Sequence, residues 1–267
     1  MDAFILDVDG VFTSPSESET VDNRILAIVQ KILLNGSLVA LNTGRPNIWI
    51  KSKILDHLLT NIQDKNILNN IFVIGEKGGT KIEFKNGEFR FDKNLPVEIP
   101  ESLKTKIRNM IQEEFPDDLF FDESKETMIT VQKIPSVSLN RFNDIHSDLN
   151  DRLKDILAEE DEEGDFILEP TVVDTDVQSK IVGKSYSTNL ILDWMKENKS
   201  HVKKVIAIGD SSFDIQMAEE AYEHGFPVEY LFVGEPDKFI KSEKSFRVLF
   251  SDKLFNEAAL EYLSKFV

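Results

Sequence analysis

Apolar positions in the first third of the chain fall into two alternating patterns. "AFILDV" (3–8), "SLVALNT" (37–43) and "NIFVIG" (70–75) are short, nearly continuous apolar runs of strand length. Between them, "ETVDNRILAIVQKILLNG" (19–36) and "RPNIWIKSKILDHLL" (45–59) carry apolar residues at helical spacing. Asn35-Gly36 stops the first of these, and Pro46 opens the second near its first turn. Strand, helix, strand, helix, strand is the signature of a parallel sheet. Strands without polar alternation are expected to be covered on both faces.

The texture changes after residue 80. "KIEFKNGEFRF" (81–91) is two alternating runs around Asn86-Gly87, a strong hairpin signal. Proline-bounded "LPVEIP" (95–100) leads to a helical stretch at 101–114, and "ETMITVQKI" (126–134) reads as a strand. Residues 138–160 form a long helix by the spacing of Leu139, Phe142, Ile145, Leu149, Leu153 and Ile156. "DFILEPTVVDTD" (165–176) predicts one or two strands, and the acidic run at 159–165 reads as a solvated turn.

From about residue 178 the first texture returns. "STNLILDWMKEN" (187–198), "SFDIQMAEEAYEHG" (212–225) and "SDKLFNEAALEYLSKF" (251–266) are helical. "KKVIAIGD" (203–210) and "VEYLFVG" (228–234) are strands. The pattern therefore predicts an α/β fold. A doubly wound parallel-sheet core spans 1–80 and 178–267, and an α+β insertion occupies 81–177.

Composition narrows the partners. With 31 basic and 48 acidic residues the net charge is −17, a surface that repels nucleic acid and anionic membranes. There is no cysteine, which excludes disulfides and thiol chemistry and is compatible with a cytoplasmic location. Asp2 and Asp7 interrupt the N-terminus where the apolar part of a signal peptide would lie, and no apolar run reaches spanning length. His57, His146, His201 and His224 lack ligand spacing and read as surface or helix-end residues.

Three predicted strands end on polar signatures: "DVDG" (7–10), "NTGR" (42–45) and "GDSSFD" (209–214). Ligands of open α/β sheets bind at the carboxyl ends of strands, so these turns are expected to line one crevice. In an extended chain Asp7 and Asp9 would face one side about 6.6 Å apart. Gly10 permits the sharp turn that follows. Carboxylates so placed repel one another unless a cation intervenes, and Mg²⁺ favours such hard oxygen donors. Asp210 would add a further carboxylate, and Asp214, at the next helix's first turn, would orient bound water. Such a site suits phosphoryl transfer, in which aspartate serves as a covalent acceptor. Thr43 and the amide of Gly44 are candidate phosphate donors. The cation of the clamp is Lys184, before a helix, or its rival Lys180. Alone, each motif has an ordinary reading as a turn or a helix cap. Their occurrence in order, each at a strand end, favours a shared site.

These residues resemble the haloacid dehalogenase superfamily of phosphatases. "DVDGV" is similar to its first motif, "LNTGR" to the second, Lys184 to the third and "GDSSFD" to the fourth, while the insertion resembles a C2-type cap. The resemblance implies that Asp7 is a nucleophile forming an aspartyl-phosphate, and that Asp9 is the general acid/base, its carbonyl also binding Mg²⁺. It implies that Thr43 and Lys184 hold the phosphoryl group, that Asp7 and Asp210 ligate the metal, and that Asp214 supports them. Arg45 is expected to reach the substrate or the cap, and "EKGG" (76–79) stands where such families show Glu-Asn-Gly-Ala or Glu-His-Gly-Ala. Motif three usually reads Lys-Gly, whereas Ser185 follows Lys184 here. The capped members nearest in texture are sucrose-phosphate, trehalose-phosphate and Cof-type phosphatases.

The expected activity is Mg²⁺-dependent hydrolysis of a small phosphorylated metabolite, with a sugar phosphate favoured, under a cap that closes over the site. The alternatives are a phosphohexomutase-like phosphotransferase, which must keep water from its intermediate, and a non-catalytic phosphoacceptor module. The length of the insertion disfavours the latter.

Overall fold

In the computed structural model, residues 1–94, 98–161, 164–197 and 201–267 are described. "LPVEIP", the acidic run at 159–165 and the helical reading to residue 198 each fall partly outside them. The chain forms two compact units, Met1–Asp92 with Gly183–Val267, and Lys93–Val182.

The larger unit is built on an eight-stranded sheet. Its strands are β1 (Asp2–Leu6), β2 (Leu38–Asn42), β3 (Ile71–Gly75), β4 (Thr80–Lys85) and β5 (Glu88–Lys93), then, numbered after the four strands of the insertion, β10 (Lys204–Gly209), β11 (Val228–Phe232) and β12 (Arg247–Phe250). The order is β12-β11-β10-β1-β2-β3-β4-β5. The six strands from β12 to β3 are parallel, and β4 returns antiparallel to β3. The chain starts at β1, builds outward through β2 and β3, and later resumes at β10 on the other side of β1. The switch point of the sheet thus lies between β1 and β10, where open α/β sheets leave a crevice.

Side-chain alternation along β1 divides the core. Phe4 and Leu6 pack on one face with helices α1 (Asn23–Leu34), α3 (Asp56–Asn61) and, at the end of the chain, α8 (Phe255–Leu263). Ala3 and Ile5 face the opposite layer, formed by α6 (Lys184–Glu197) and α7 (Ile215–Glu223), where Trp194 stacks on Phe72 at 5.0 Å. Both faces are covered, as the continuous apolar runs require. Asp22 caps α1 by accepting from the Arg24 amide, and Gly36 follows its end with φ of +80°. The helix opened by Pro46 is interrupted: α2 (Asn47–Ile50) passes through a π turn at Lys51–Leu55 into α3.

The smaller unit pairs α4 (Glu101–Glu114) and α5 (Leu139–Glu160) with an antiparallel sheet. The sheet contains β6 (Leu119–Phe121), β7 (Ile129–Lys133), β8 (Phe166–Pro170) and β9 (Asp174–Ser179) in the order β6-β7-β9-β8. Leu103 and Ile107 of α4 and Phe142, Leu149 and Leu153 of α5 meet Ile129, Val131 and Val177 in its core.

Three readings are corrected. The hairpin assigned to the insertion extends the large sheet, because β4 pairs with β3 from Phe72↔Glu83 to Gly75↔Thr80. The units therefore divide at 92/93 and 182/183 rather than at 80/81 and 177/178. Strands β6 and β12 were not anticipated; each is short and is defined by pairing with β7 or β11 rather than by its own pattern. The first strand ends at Leu6, before both aspartates.

Candidate active site

Asp7 leaves β1 with its amide still donating to the Ile208 carbonyl of β10. It therefore stays in register with the neighbouring strand while its side chain enters the crevice. Asp210 follows β10 directly, and Asp214 is the residue before α7. Carboxylate oxygens of Asp7, Asp210 and Asp214 lie within 4.8 Å of one another. Asp214 is fully buried and accepts bonds from the Ser211 amide at 2.9 Å and the Ser211 hydroxyl at 2.7 Å, which turn it back toward the strand end. Two glycines admit this crowding. A Cβ on Gly209 would lie 2.1 Å from Asp214 Cβ, and one on Gly10, at φ +71°, would lie 2.4 Å from Asp210 Cγ.

Lys184 is the first residue of α6 and the cation of the cluster. Its ammonium is 2.7 Å from Asp7 Oδ1, 2.7 Å from Asp214 Oδ1 and 2.7 Å from the Asn42 carbonyl, to which it donates. Asn42 returns the contact, its Nδ2 donating to the Lys184 carbonyl at 3.2 Å and to Thr188 Oγ1 at 3.1 Å. This reciprocal pair ties the end of β2 to the first turn of α6. Asn42 opens the "NTGR" signature, and a polar residue closing an apolar strand is the signal that marks it. Lys180, the rival of Lys184, lies in the smaller unit, its Nζ 3.4 Å from the position of a Cβ on Gly164.

One lysine does not neutralise three carboxylates. Burial, with the charge of Asp214 next, pushes the Asp210 carboxyl up to about 7. Burial also raises Asp7 well above the ordinary aspartate range; Lys184 opposes this, and Asp214, Asp210 and Asp9 add to it. Burial would lower the Lys184 ammonium, but Asp214 and Asp7 outweigh it and hold the lysine charged. Converging, under-neutralised hard oxygen donors fit a divalent cation of the Mg²⁺ type.

Asp9 departs from the geometry expected of an extended chain. A turn begins at Val8, whose carbonyl accepts from the Phe12 amide at 2.8 Å, so Asp7 and Asp9 are not alternate residues of one strand. The Asp9 side chain is 45% exposed and stands outside the three-carboxylate group, paired with Arg45. Arg45 donates from Nε at 3.1 and 3.2 Å and from Nη2 at 2.7 Å to Asp9. Its Nη1 donates to Glu19 at 2.5 Å and its Nη2 to the Ser18 carbonyl at 2.9 Å. Neither Glu19 nor Ser18 carries a sequence signal for this role: Ser18 lies in a polar loop, and Glu19 begins the stretch read as helical from 19, whereas α1 starts at Asn23.

Thr43 is buried at the end of β2, its Oγ1 accepting from the Arg45 amide at 3.1 Å. The intervening Gly44 packs against Lys77, whose side chain lies 3.5 Å from the position of a Cβ there. The "EKGG" segment straps two motifs together. The Lys77 amide donates to the Thr43 carbonyl at 3.0 Å, and its carbonyl accepts from Gly183, beside Lys184, at 2.8 Å. Glu76 and Lys77 both hold positive φ, 48° and 56°.

The parallel sheet and its separate antiparallel insertion have the fold of the haloacid dehalogenase-like hydrolases with a cap. A haloacid dehalogenase-like hydrolase from Bacteroides thetaiotaomicron matches with a TM-score of 0.64 at 12% identity, covering 100% of this chain and 99% of that one. The C-terminal domain of C. albicans trehalose-6-phosphate phosphatase matches at 0.63 and 12%, covering 99% and 92%. Thermoplasma acidophilum 0175 matches at 0.62 and 14%, covering 100% and 98%. No protein-family model and no curated protein sequence matches the chain.

Proposed function

We propose that this protein is a Mg²⁺-dependent phosphomonoesterase acting on a small phosphorylated metabolite through an aspartyl-phosphate. The observation that carries this reading is the convergence of Asp7, Asp210 and Asp214 around Lys184 at the switch point of the sheet. Asp7, Asp210 and the Asp9 carbonyl would hold the cation, with Asp214 supporting them. Once bound, the cation supplies positive charge that offsets the substrate phosphoryl group and the Asp7 carboxylate.

The residues of the chain divide the remaining work. The Thr43 hydroxyl, the Gly44 amide and the Lys184 ammonium hold phosphoryl oxygens. Asp7 attacks phosphorus, and the bond to the leaving oxygen breaks as Asp9 delivers a proton to it. Asp9, now a carboxylate, takes a proton from water, which attacks phosphorus and releases Asp7 and inorganic phosphate. The likeness to trehalose-6-phosphate phosphatases supports a sugar phosphate as substrate.

The test measures phosphate release from p-nitrophenyl phosphate and a panel of phosphorylated metabolites, with Mg²⁺. Asp7→Asn is expected to abolish release while leaving the fold intact. Retained release overturns the nucleophile assignment, and phosphoryl return to substrate without net release favours a phosphotransferase.

A further inference from the structure

The loop after the first motif is anchored to the candidate acid/base through one side chain. Glu19 uses both carboxylate oxygens, Oε1 accepting from Arg45 Nη1 at 2.5 Å and Oε2 from Trp49 Nε1 at 2.7 Å. The Arg45 guanidinium lies over the Trp49 ring, 4.5 Å from its centroid, and its opposite edge grips Asp9. The indole, the carboxylate and the Ser18 carbonyl therefore hold the guanidinium on three sides. Its remaining fork is directed at Asp9. Arg45 is only 18% exposed, whereas Asp9 is 45% exposed and makes these bonds in a turn rather than within a strand. Burial alone would raise the Glu19 carboxyl, but the bonds from Arg45 and Trp49 outweigh it and keep it charged.

We propose that Glu19 is a positioning residue: with Trp49 it fixes Arg45, and Arg45 fixes the Asp9 carboxyl for proton transfer. This rests on the phosphatase reading above. It assigns Arg45 to Asp9 rather than to the substrate, and it gives the loop at residues 14–20 a role in turnover. A guanidinium gripped from one side only would swing, and an acid/base displaced by a fraction of an ångström loses proton-transfer efficiency.

The two half-reactions depend on Asp9 differently. Formation of the aspartyl-phosphate from p-nitrophenyl phosphate expels a phenolate that leaves without a proton. Hydrolysis of that intermediate needs Asp9 to remove a proton from water. A misplaced Asp9 therefore slows the second half-reaction while sparing the first. For Glu19→Gln and Glu19→Ala, kcat on p-nitrophenyl phosphate is expected to fall about ten-fold, a part of what a complete acid/base supplies. KM should fall in parallel, leaving kcat/KM near wild type, and a pre-steady-state burst of p-nitrophenolate should appear. Glu17→Gln, on the same loop, keeps wild-type kcat.

A second measurement reads the geometry without turnover. The protein has two tryptophans, so ¹H–¹⁵N spectra hold two indole signals. Glu19→Gln should shift one of them, and Trp49→Phe, by deleting it, identifies it as that of Trp49. If Glu19→Gln leaves the Trp49 signal in place, or shifts it with no change in kcat and no burst, the inference is overturned while the phosphatase reading stands. If the wild-type protein shows no Asp7-dependent phosphate release, the phosphatase reading fails and this inference fails with it.

Discussion

The Lys184 ammonium, fixed at the first turn of α6, stands 2.7 Å from an oxygen of Asp7, which follows the first strand. The contact spans 177 positions of chain and joins the two segments that flank the insertion. The same ammonium is equally close to Asp214, so one cation holds two acids that would otherwise repel.

Lys184→Met should therefore damage both stability and activity. Removing the shared cation leaves buried carboxylates uncompensated, a loss of about 3–5 kcal/mol for a broken buried pair. Urea denaturation without added metal measures it, and phosphate release should fall to background.

Divalent cation should stabilise the fold by binding the folded state alone. Mg²⁺ at about a hundred times its Kd adds about 2.7 kcal/mol. Thermal unfolding with and without Mg²⁺ reads this gain, and Asp210→Asn should remove most of it. An equal Mg²⁺ response in that variant would place the cation elsewhere.

Gly10→Ala should be far more costly than Gly36→Ala, although both positions have positive φ. At Gly36 nothing among the described residues lies within 4 Å of the added methyl, so only the backbone penalty applies, about 1–2 kcal/mol. At Gly10 the methyl collides with the Asp210 carboxylate, adding about 1–3 kcal/mol and displacing a proposed metal ligand. The Mg²⁺-induced rise in unfolding temperature should survive in Gly36→Ala and vanish in Gly10→Ala.

Glu229 on β11 offers a pH test away from the site. It accepts from the Tyr262 hydroxyl and from Arg247 at 3.1 Å, and it pairs with Lys204 at 2.9 Å. Burial raises its carboxyl, but the bonds from Tyr262 and Lys204 outweigh it and the net value falls below the ordinary 4.5. A depressed carboxyl contributes stability that is present above 4.5 and is lost as pH falls through the lower folded-state value. Glu229→Gln should thus cost about 1–3 kcal/mol near neutrality. The urea midpoints of variant and wild type should converge as the solution is acidified below the glutamate range.

Much of the candidate site was legible because it is built at strand ends, where an apolar run stops and polar side chains gather. "DVDG", "NTGR" and "GDSSFD" each mark such a stop, and the parallel pairing of β2, β1 and β10 brings them side by side. Two things were hidden. Asp9 was expected beside Asp7 because alternate residues of a strand share a face, but the strand ends at Leu6 and the turn at Val8 sends Asp9 toward Arg45. Glu19 and Trp49 carried no such signal: Glu19 lies in the loop before α1, and the helical period that places Trp49 on α2 does not name its indole's partner.

The sequence by itself determined the alternation of strands and helices, the excursion into a second unit and the polar turns that close three of the strands. These follow from local periodicity and from turn chemistry, which each segment expresses without reference to the others. Only the tertiary structure decided that the hairpin of β4 and β5 joins the large sheet, that Lys184 rather than Lys180 meets Asp7, and that Asp9 is held by Arg45, itself bonded to Glu19. Each depends on pairing between segments distant in the chain, and that pairing is selected by the packing of the whole fold rather than by any one stretch of residues.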